Sequence, residues 1–409
     1  MPPSKTPSNA ARAADFAWLT TAAASQWLAQ IAESELPLHT LATTLRRELS
    51  DAHTHLLLEQ ADLRRRGAAK FSRAAQMLFT PRALEQATDE WISRYKAQRF
   101  ANRPCVADLC CGIGGDLIGL MEMTRATGVD RCEVATFFAD HNATVYQTDA
   151  SPFHSTETAD VNNIDLADFS AWHLDPDRRP RGRRTTRIEL HEPSLEAIER
   201  MLSRQPNAAI KLAPASNLPD DGTWSAATEF EWISRGGECR QLVAWRGALA
   251  HNAGLSRATS IGKFGTASLL GRPDVPLGTA SALDRYLFEP DPAVLAAHLT
   301  GDLAVRHELK AATPGVAYLT GSRLLSEPLL AAFEVLDTLP FDRRALVAYL
   351  KARDVGRVEI KHRGLTLDPD RLRRELKLRG DAAAVLIITK LAGRAMVLVA
   401  QRLATPGVT

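Results

Sequence analysis

Four aspartates near the middle of the chain are placed where carboxylates could do chemistry: Asp108, Asp130, Asp149 and Asp175. Each closes a short apolar or alternating run: Cys105-Val106-Ala107, Ala126-Thr127-Gly128-Val129, Thr144-Val145-Tyr146-Gln147-Thr148 and Phe169-Ser170-Ala171-Trp172-His173-Leu174. In parallel α/β sheets, ligands sit outside the carboxyl ends of the strands. Successive strands ending in acids therefore predict one crevice lined with carboxylates.

Directly after Asp108 the chain breaks into glycines, Asp108-Leu-Cys-Cys-Gly112-Ile-Gly114-Gly115-Asp116, and enters a helix-compatible segment, 117–123. Glycines let the backbone approach a ligand closely, and the following helix presents free N–H groups. The spacing is not that of the dinucleotide fingerprint G-x-G-x-x-G. An acid ahead of the glycines would repel a pyrophosphate and attract positive charge. The sulfonium and ammonium of S-adenosylmethionine fit this arrangement. Asp130 lies 22 positions beyond Asp108, a spacing at which a second-strand carboxylate reaches ribose hydroxyls.

Repeated βα units have to position these acids. The pattern predicts helix over most of 16–99, with Thr80 as an N-cap and Pro81 at the first position of a helix ending near Phe100. Thr80 and Pro81 lie directly before the first strand and could lie over a ligand in the glycine loop. Helix is predicted over 131–142 and 193–204, and a fifth strand over 208–214. Segments 229–234 and 239–245 extend the sheet, and 254–282, rich in Gly, Ser, Thr and Pro, reads as a loop-rich connection. Such units predict an open, mostly parallel sheet with helices on both faces. A small α/β unit is legible beyond Pro340. The expected domains are a helical one at 1–100, the sheet domain at 101–285 and a basic one at 286–409.

The length of 409 residues and an apolar share of 45% suit a globular chain of two or three domains. The net charge of +2 hides its distribution. Residues 341–409 hold 15 Lys and Arg against 7 Asp and Glu, a net of +8, the footprint of nucleic-acid binding. Segment 178–187 carries six arginines and no acid beside Asp175, so Arg178, Arg179 and Arg183 could hold phosphates at the mouth of the crevice. Five cysteines without paired spacing argue for a reducing compartment and against a metal site. The sequence shows no secretory leader and no apolar run long enough to span a bilayer, which gives the expectation of a soluble cytoplasmic protein without a membrane partner.

Residues 78–214 resemble the class I S-adenosylmethionine-dependent methyltransferases, through the Asp108–Gly114 loop, Gly128-Val-Asp130 with Asn142, Asp149-Ala150, which is similar to the acid beside the adenine, and Asp175-Pro176 as the fourth motif. Phe79-Thr80-Pro81 is similar to the lid segment of cap-guanosine N2-methyltransferases. From Glu289 onward, Glu289-Pro-Asp-Pro292, Tyr318-Leu-Thr320 and Glu359-Ile-Lys-His-Arg-Gly364 resemble the bacterial THUMP-like domain. The resemblance implies a Rossmann-like methyltransferase sheet between an N-terminal helical domain and a small C-terminal α+β domain. It implies S-adenosylmethionine as cofactor, held by Phe79, Thr80, Asp108, Cys110, Gly112, Gly114, Asp130, Arg131, Asp149 and Ala150. It further implies catalytic roles for Asp175 and Pro176, and an RNA substrate, tRNA or rRNA, methylated on a base amino group. Amino-group enzymes of this kind carry a second proline and an aromatic at the fourth motif. Here the run is Asp175-Pro176-Asp177-Arg178. That departure keeps two further readings in view: an RNA-binding protein with a silent methyltransferase fold, and a methyltransferase of a non-RNA substrate.

Overall fold

The structure, a computed structural model, describes residues 9–178, 185–217 and 223–403. The chain forms two compact units, one of residues 1–211 with 246–249, the other of 212–245 with 250–409.

The first unit opens with helices α1 (Asn9–Trp18), α2 (Ala22–Glu33), α3 (Leu38–Leu45) and α4 (Asp51–Gly67). Thr21 and Ser50 cap α2 and α4 by accepting from the backbone N–H three residues on. Their apolar faces, including Leu28, Ile31, Leu57 and Leu63, share one core with Phe71, Phe79 and Phe138. Next come α5 (Pro81–Gln86) and α6 (Glu90–Ala97). Thr80 caps α5 with Pro81 behind it, as the sequence predicts. The helix does not continue to Phe100, because Asp89 caps a second start by accepting from Ile92 N.

The sheet of this unit is built from β1 (Cys105–Leu109), β2 (Arg125–Asp130), β3 (His154–Thr158), β4 (Ala171–Leu174) and β5 (Ala208–Leu212). Helices α7 (Leu117–Met123), α8 (Glu133–Tyr146) and α9 (Leu195–Arg204) connect them. The order is β3-β2-β1-β4-β5, with every neighbouring pair parallel. The chain winds outward from β1 to β3, then returns to β4 on the other side of β1. That reversal makes the carboxyl ends of β1 and β4 the topological switch point.

One predicted strand is corrected. Thr144-Val145-Tyr146 is the last turn of α8, and the third strand begins at His154. The β-branched run favours a strand locally, but Tyr146 is buried and donates through its hydroxyl to Glu90 Oε2 at 2.5 Å, a partner 56 residues away.

Helices α6 and α7 meet at Gly119, whose N–H donates to Ser93 Oγ at 3.1 Å. A Cβ on Gly119 would lie 2.6 Å from the carbonyl carbon of Ser93. Gly119→Ala is therefore expected to lower stability by about 1–3 kcal/mol through forced separation of the helices, read as a lower urea midpoint.

The second unit contains α10 (Thr223–Ala226), β6 (Thr228–Arg235), β7 (Glu238–Arg246), β8 (Ser256–Gly262) and β9 (Gly265–Gly271), in the order β7-β6-β8-β9. Strands β8 and β9 replace the first part of the loop-rich connection expected at 254–282, while 272–282 forms no helix or strand of its own. The unit continues through β10 (Tyr286–Pro290), α11 (Pro292–Ala296), α12 (Thr300–Arg306), β11 (Lys310–Ala311), β12 (Leu319–Gly321) and β13 (Leu330–Pro340). It ends with α13 (Arg343–Ala352), β14 (Val355–His362), α14 (Pro369–Leu376), β15 (Ala382–Leu391) and β16 (Arg394–Arg402). Seven strands form a second sheet, β11-β12-β10-β13-β16-β15-β14. Alternation along β15 and β16 divides its core. Leu386, Ile388, Val397 and Val399 meet Leu346 and Leu372 of the helices, while Ile387 and Leu398 meet Leu287 and Phe333.

Candidate active site

The glycine loop starts from the carboxyl end of β1. Cys110, Gly112 and Gly114 all have positive φ, +58°, +55° and +81°. Cys110 thus holds a left-handed conformation that normally selects glycine. The glycines serve different ends. A Cβ on Gly114 would meet the backbone of Ala139 at 3.2 Å and one on Gly115 the carbonyl oxygen of Thr88 at 2.9 Å, whereas one on Gly112 would meet nothing within 4 Å among the described residues. Gly112 therefore faces open space, and the other two allow close packing.

Asp130, at the end of β2, braces the loop. Its carboxylate accepts from Gly112 N at 3.0 Å and from Cys132 N at 2.9 Å. Asn142 of α8 binds the segment above, accepting from Leu78 N at 2.7 Å and donating to Ile113 O at 3.0 Å. Thr80 stands half-buried next along this segment. Phe79 is fully buried, its backbone held by Gln60, so its ring belongs to the core.

Asp175 lies beside the loop, its N–H donating to Leu109 O at 3.2 Å. Behind it runs a buried polar chain. Lys211 of β5 donates to Asp175 Oδ2 at 2.5 Å and to Thr88 Oγ1 at 2.8 Å. Thr88 donates to Asp116 Oδ2 at 2.7 Å. Lys96 pairs with Asp116 at 2.6 Å and lies 3.1 Å from His173 Nε2. His173 Nδ1 lies 2.8 Å from Asp108 Oδ1. An ammonium can only donate, so Nε2 accepts and the imidazole proton sits on Nδ1, aimed at Asp108.

Burial raises the Asp116 carboxyl, but the Lys96 and Lys211 ammonium groups outweigh it and hold the group well below the usual carboxylate range. Burial pushes Asp108 up, with the His173 hydrogen bond acting against it. The thiols of Cys110 and Cys111 are pushed well up, first by burial and then by the neighbouring aspartates, Asp130, Asp175 and Asp108 in the case of Cys110. The loop therefore lies in a negative field. Asp108 Oδ2 is buried without a hydrogen-bond partner among the described residues. A cationic ligand fits this environment and an anionic one does not.

Two ion pairs border the mouth. Arg131 reaches Glu192 at 2.6 Å and Arg82 reaches Asp177 at 3.2 Å, while Asp177 and Glu192 exchange backbone hydrogen bonds of 2.8 and 3.0 Å. The chain that leaves Asp175 is thereby tied both to α5 and to the turn after Asp130.

The carboxyl ends of β1, β2 and β4 thus bring together Asp108, Cys110, Gly112, Asp130, Arg131, Asp175 and the buried Pro176. Asp149 and Ala150 are not brought there. They lie exposed in the turn before β3, whose first residue, His154, pairs with Ala126, while Asp130 pairs with Thr158 at the far end of the strand. At that far end stand Ala159, donating to Asp130 O at 3.1 Å, and Asp160, which accepts from Asn162 N at 2.9 Å. Arg178 follows Asp177 and is half-buried. Arg179 and Arg183 lie outside the described residues. Lys96, Asp116, His173, Lys211 and Asp160 are the site residues that the sequence reading did not single out. The signal for Lys211 was a cation inside the apolar run Ala208–Leu212.

Among the described residues no group of three or more His, Cys, Asp or Glu is placed to hold a metal, and no helix is long and apolar enough to cross a membrane.

Residues 330–402 match the family described as THUMP domain-like. Two proteins of Mycobacterium tuberculosis, from strains CDC 1551 / Oshkosh and H37Rv, are each described as an uncharacterised S-adenosylmethionine-dependent methyltransferase. Each is 36% identical over 343 residues, 82% of this chain and 92% of the relative. The crystal structure of a candidate methyltransferase from Porphyromonas gingivalis W83 shares the fold, with a TM-score of 0.76 at 19% identity over 93% of this chain and 98% of that one. With a negatively charged glycine loop at the switch point of its parallel sheet, the chain belongs to the class I S-adenosylmethionine-dependent methyltransferases and carries a THUMP-like domain toward its C-terminus.

Proposed function

We propose that this enzyme methylates a base amino group in RNA, tRNA or rRNA, with Asp175 facing the acceptor. The observation that carries the reading is the position of the Asp175 carboxylate at the end of β4, beside the glycine loop and partly open to solvent. S-adenosylmethionine supplies a sulfonium-activated methyl group when bound, so the protein's task is in-line positioning. Gly112 admits the methionine part against the loop, within the field of Asp108 and Asp130. Asp130 takes the ribose hydroxyls. Asp160, at the carboxyl end of β3, takes the adenine side that the sequence reading gave to Asp149. Asp175 accepts an N–H of the acceptor amine, aims its lone pair at the methyl carbon and receives the proton released on transfer. Pro176 fixes the backbone that leaves Asp175.

Support for RNA comes from charge. Much of the positive excess in the THUMP-like part is paired, as with Lys361 and Arg363 on Glu289, Arg371 on Glu375 and Arg402 on Glu359. Arg344, Lys377 and Arg379 remain exposed, with no ion pair among the described residues. Such cations meet phosphates without a competing acid. Arg178, Arg179 and Arg183 extend the same role to the loop after Asp175. In this reading 1–100 is a helical support, 101–285 the methyltransferase domain and 286–409 the RNA-binding domain. The five free thiols fit a cytoplasmic setting.

The test is incubation of the full chain with methyl-labelled S-adenosylmethionine and total RNA, followed by nuclease digestion. An N-methylated nucleoside carrying the label is the expected product. Label appearing only in protein or small molecules overturns the RNA assignment.

A further inference from the structure

Lys211 lies within a five-residue strand that is buried throughout, and its side chain is only 5% exposed. A buried ammonium is costly unless its protons are taken up. Here Asp175 Oδ2 and Thr88 Oγ1 accept, at 2.5 and 2.8 Å, and Asp116 stands 4.0 Å away. Surrounded by acceptors, Nζ is a donor and not a base. Asp175 is thus fixed by one oxygen only. No hydrogen bond among the described residues engages Oδ1, and the carboxylate is 24% exposed. The other end of the chain, Asp116, closes the glycine loop immediately before α7.

Resting on the methyl-transfer reading above, we infer that Lys211 is a positioning residue: it pins Oδ2 of Asp175 so that Oδ1 faces the acceptor amine. Through Thr88 and Asp116 it ties that aim to the foot of the glycine loop. As the N–C bond forms and the C–S bond breaks, the amine proton passes to Asp175 Oδ1, and Lys211 keeps its own three protons. The loop that holds the methyl donor and the carboxylate that orients the acceptor are thereby one rigid hydrogen-bonded assembly.

Lys211→Met keeps the length of the side chain and removes the ammonium. Its expected effect is a fall of about 100-fold in kcat, the scale of a small misplacement of a reacting group, with KM for S-adenosylmethionine changed by less than about twofold. Lys211→Arg is expected to recover part of the loss, and Thr88→Val to show a smaller one. Because Lys211→Met leaves Asp116 and Asp175 short of a partner, the double variant Lys211→Met/Asp175→Asn guards against a folding artefact. If Lys211 acts through Asp175, the double variant is no slower than Asp175→Asn. Wild-type kcat in Lys211→Met, or losses that multiply in the double variant, overturn the inference. A crystal structure of Lys211→Met reads the aim directly. Asp175 turned from its present orientation supports the inference, and an unmoved carboxylate sinks it, whichever acceptor the enzyme uses. Wild-type protein that leaves RNA unlabelled counts only against the RNA reading.

Discussion

Asp175→Asn is expected to reduce methyl transfer by at least about 100-fold while leaving affinity for S-adenosylmethionine within about twofold, because general-base and orienting carboxylates contribute on that scale. On the proposed transfer to an amine, the asparagine preserves the shape of the side chain but cannot take the amine proton, and its NH₂ group can point a donor where an acceptor is required. The rest of the site has reason to stay in place. Lys211 retains Thr88 as an acceptor, and the Asp175 N–H still reaches Leu109 O. Among the described residues the Asp175 side chain makes no direct hydrogen bond to Asp130 or the glycine loop, and the Lys211–Thr88–Asp116 link to the loop keeps its Lys211–Thr88 bond, so the methyl donor's surroundings are preserved. Calorimetric titration with S-adenosylmethionine alongside initial rates of label transfer separates the two effects. A variant with more than about a third of wild-type kcat would remove Asp175 from the acceptor site.

The parts of this site that were legible in the sequence are those that local chemistry dictates. A strand ending in Asp108, a break into glycines and an immediate helix need no distant partner to form, and βα repetition carries Asp130 and Asp175 to the same edge. Where long-range partners decide, the sequence misleads. Thr144-Val145-Tyr146 looks like a strand until Glu90 and Arg73 N bind the tyrosine hydroxyl, at 2.5 and 3.1 Å. That single displacement moved the third strand and sent the adenine-side assignment to Asp149. Strands β8 and β9 were hidden because their interior is polar: Thr259 is fully buried yet bonded to Glu231 at 2.6 Å and Ser268 at 2.8 Å. Small and hydroxylic residues then read as a loop. The buried chain behind Asp175 was the least legible part, since Lys96 meets His173 across 77 positions and Lys211 meets Thr88 across 123. Composition offers only the oddity of single charges in apolar runs.

That buried chain makes Lys96→Met the most destabilising single change we expect, at about 3–5 kcal/mol, the cost of leaving a buried charge without its partner. Lys96 is 2% exposed and Asp116 8%. Removing the ammonium leaves the Asp116 carboxylate with Thr88 and the more distant Lys211, and leaves His173 Nε2 without its donor. The pH dependence has a definite sign. In the wild type, Asp116 titrates well below its unfolded value of about 3.9, so its contribution is complete above that value and is lost as the pH falls below it. In Lys96→Met, burial is no longer outweighed to the same extent, so protonation of Asp116 relieves the fault. The stability gap between the two proteins should therefore narrow as pH drops from about 6 to about 3. Asp108, pushed up by burial and held down in part by Lys96, has the opposite dependence, losing stability as pH rises; without Lys96 it is pushed further up, which adds to the narrowing of the gap on acidification. Urea unfolding at several pH values measures the gap directly. Lys96→Met/Asp116→Asn, which removes both charges, should regain most of the lost stability at neutral pH. A gap that widened on acidification, or a double variant as unstable as Lys96→Met alone, would mean that packing around Lys96 matters more than its charge.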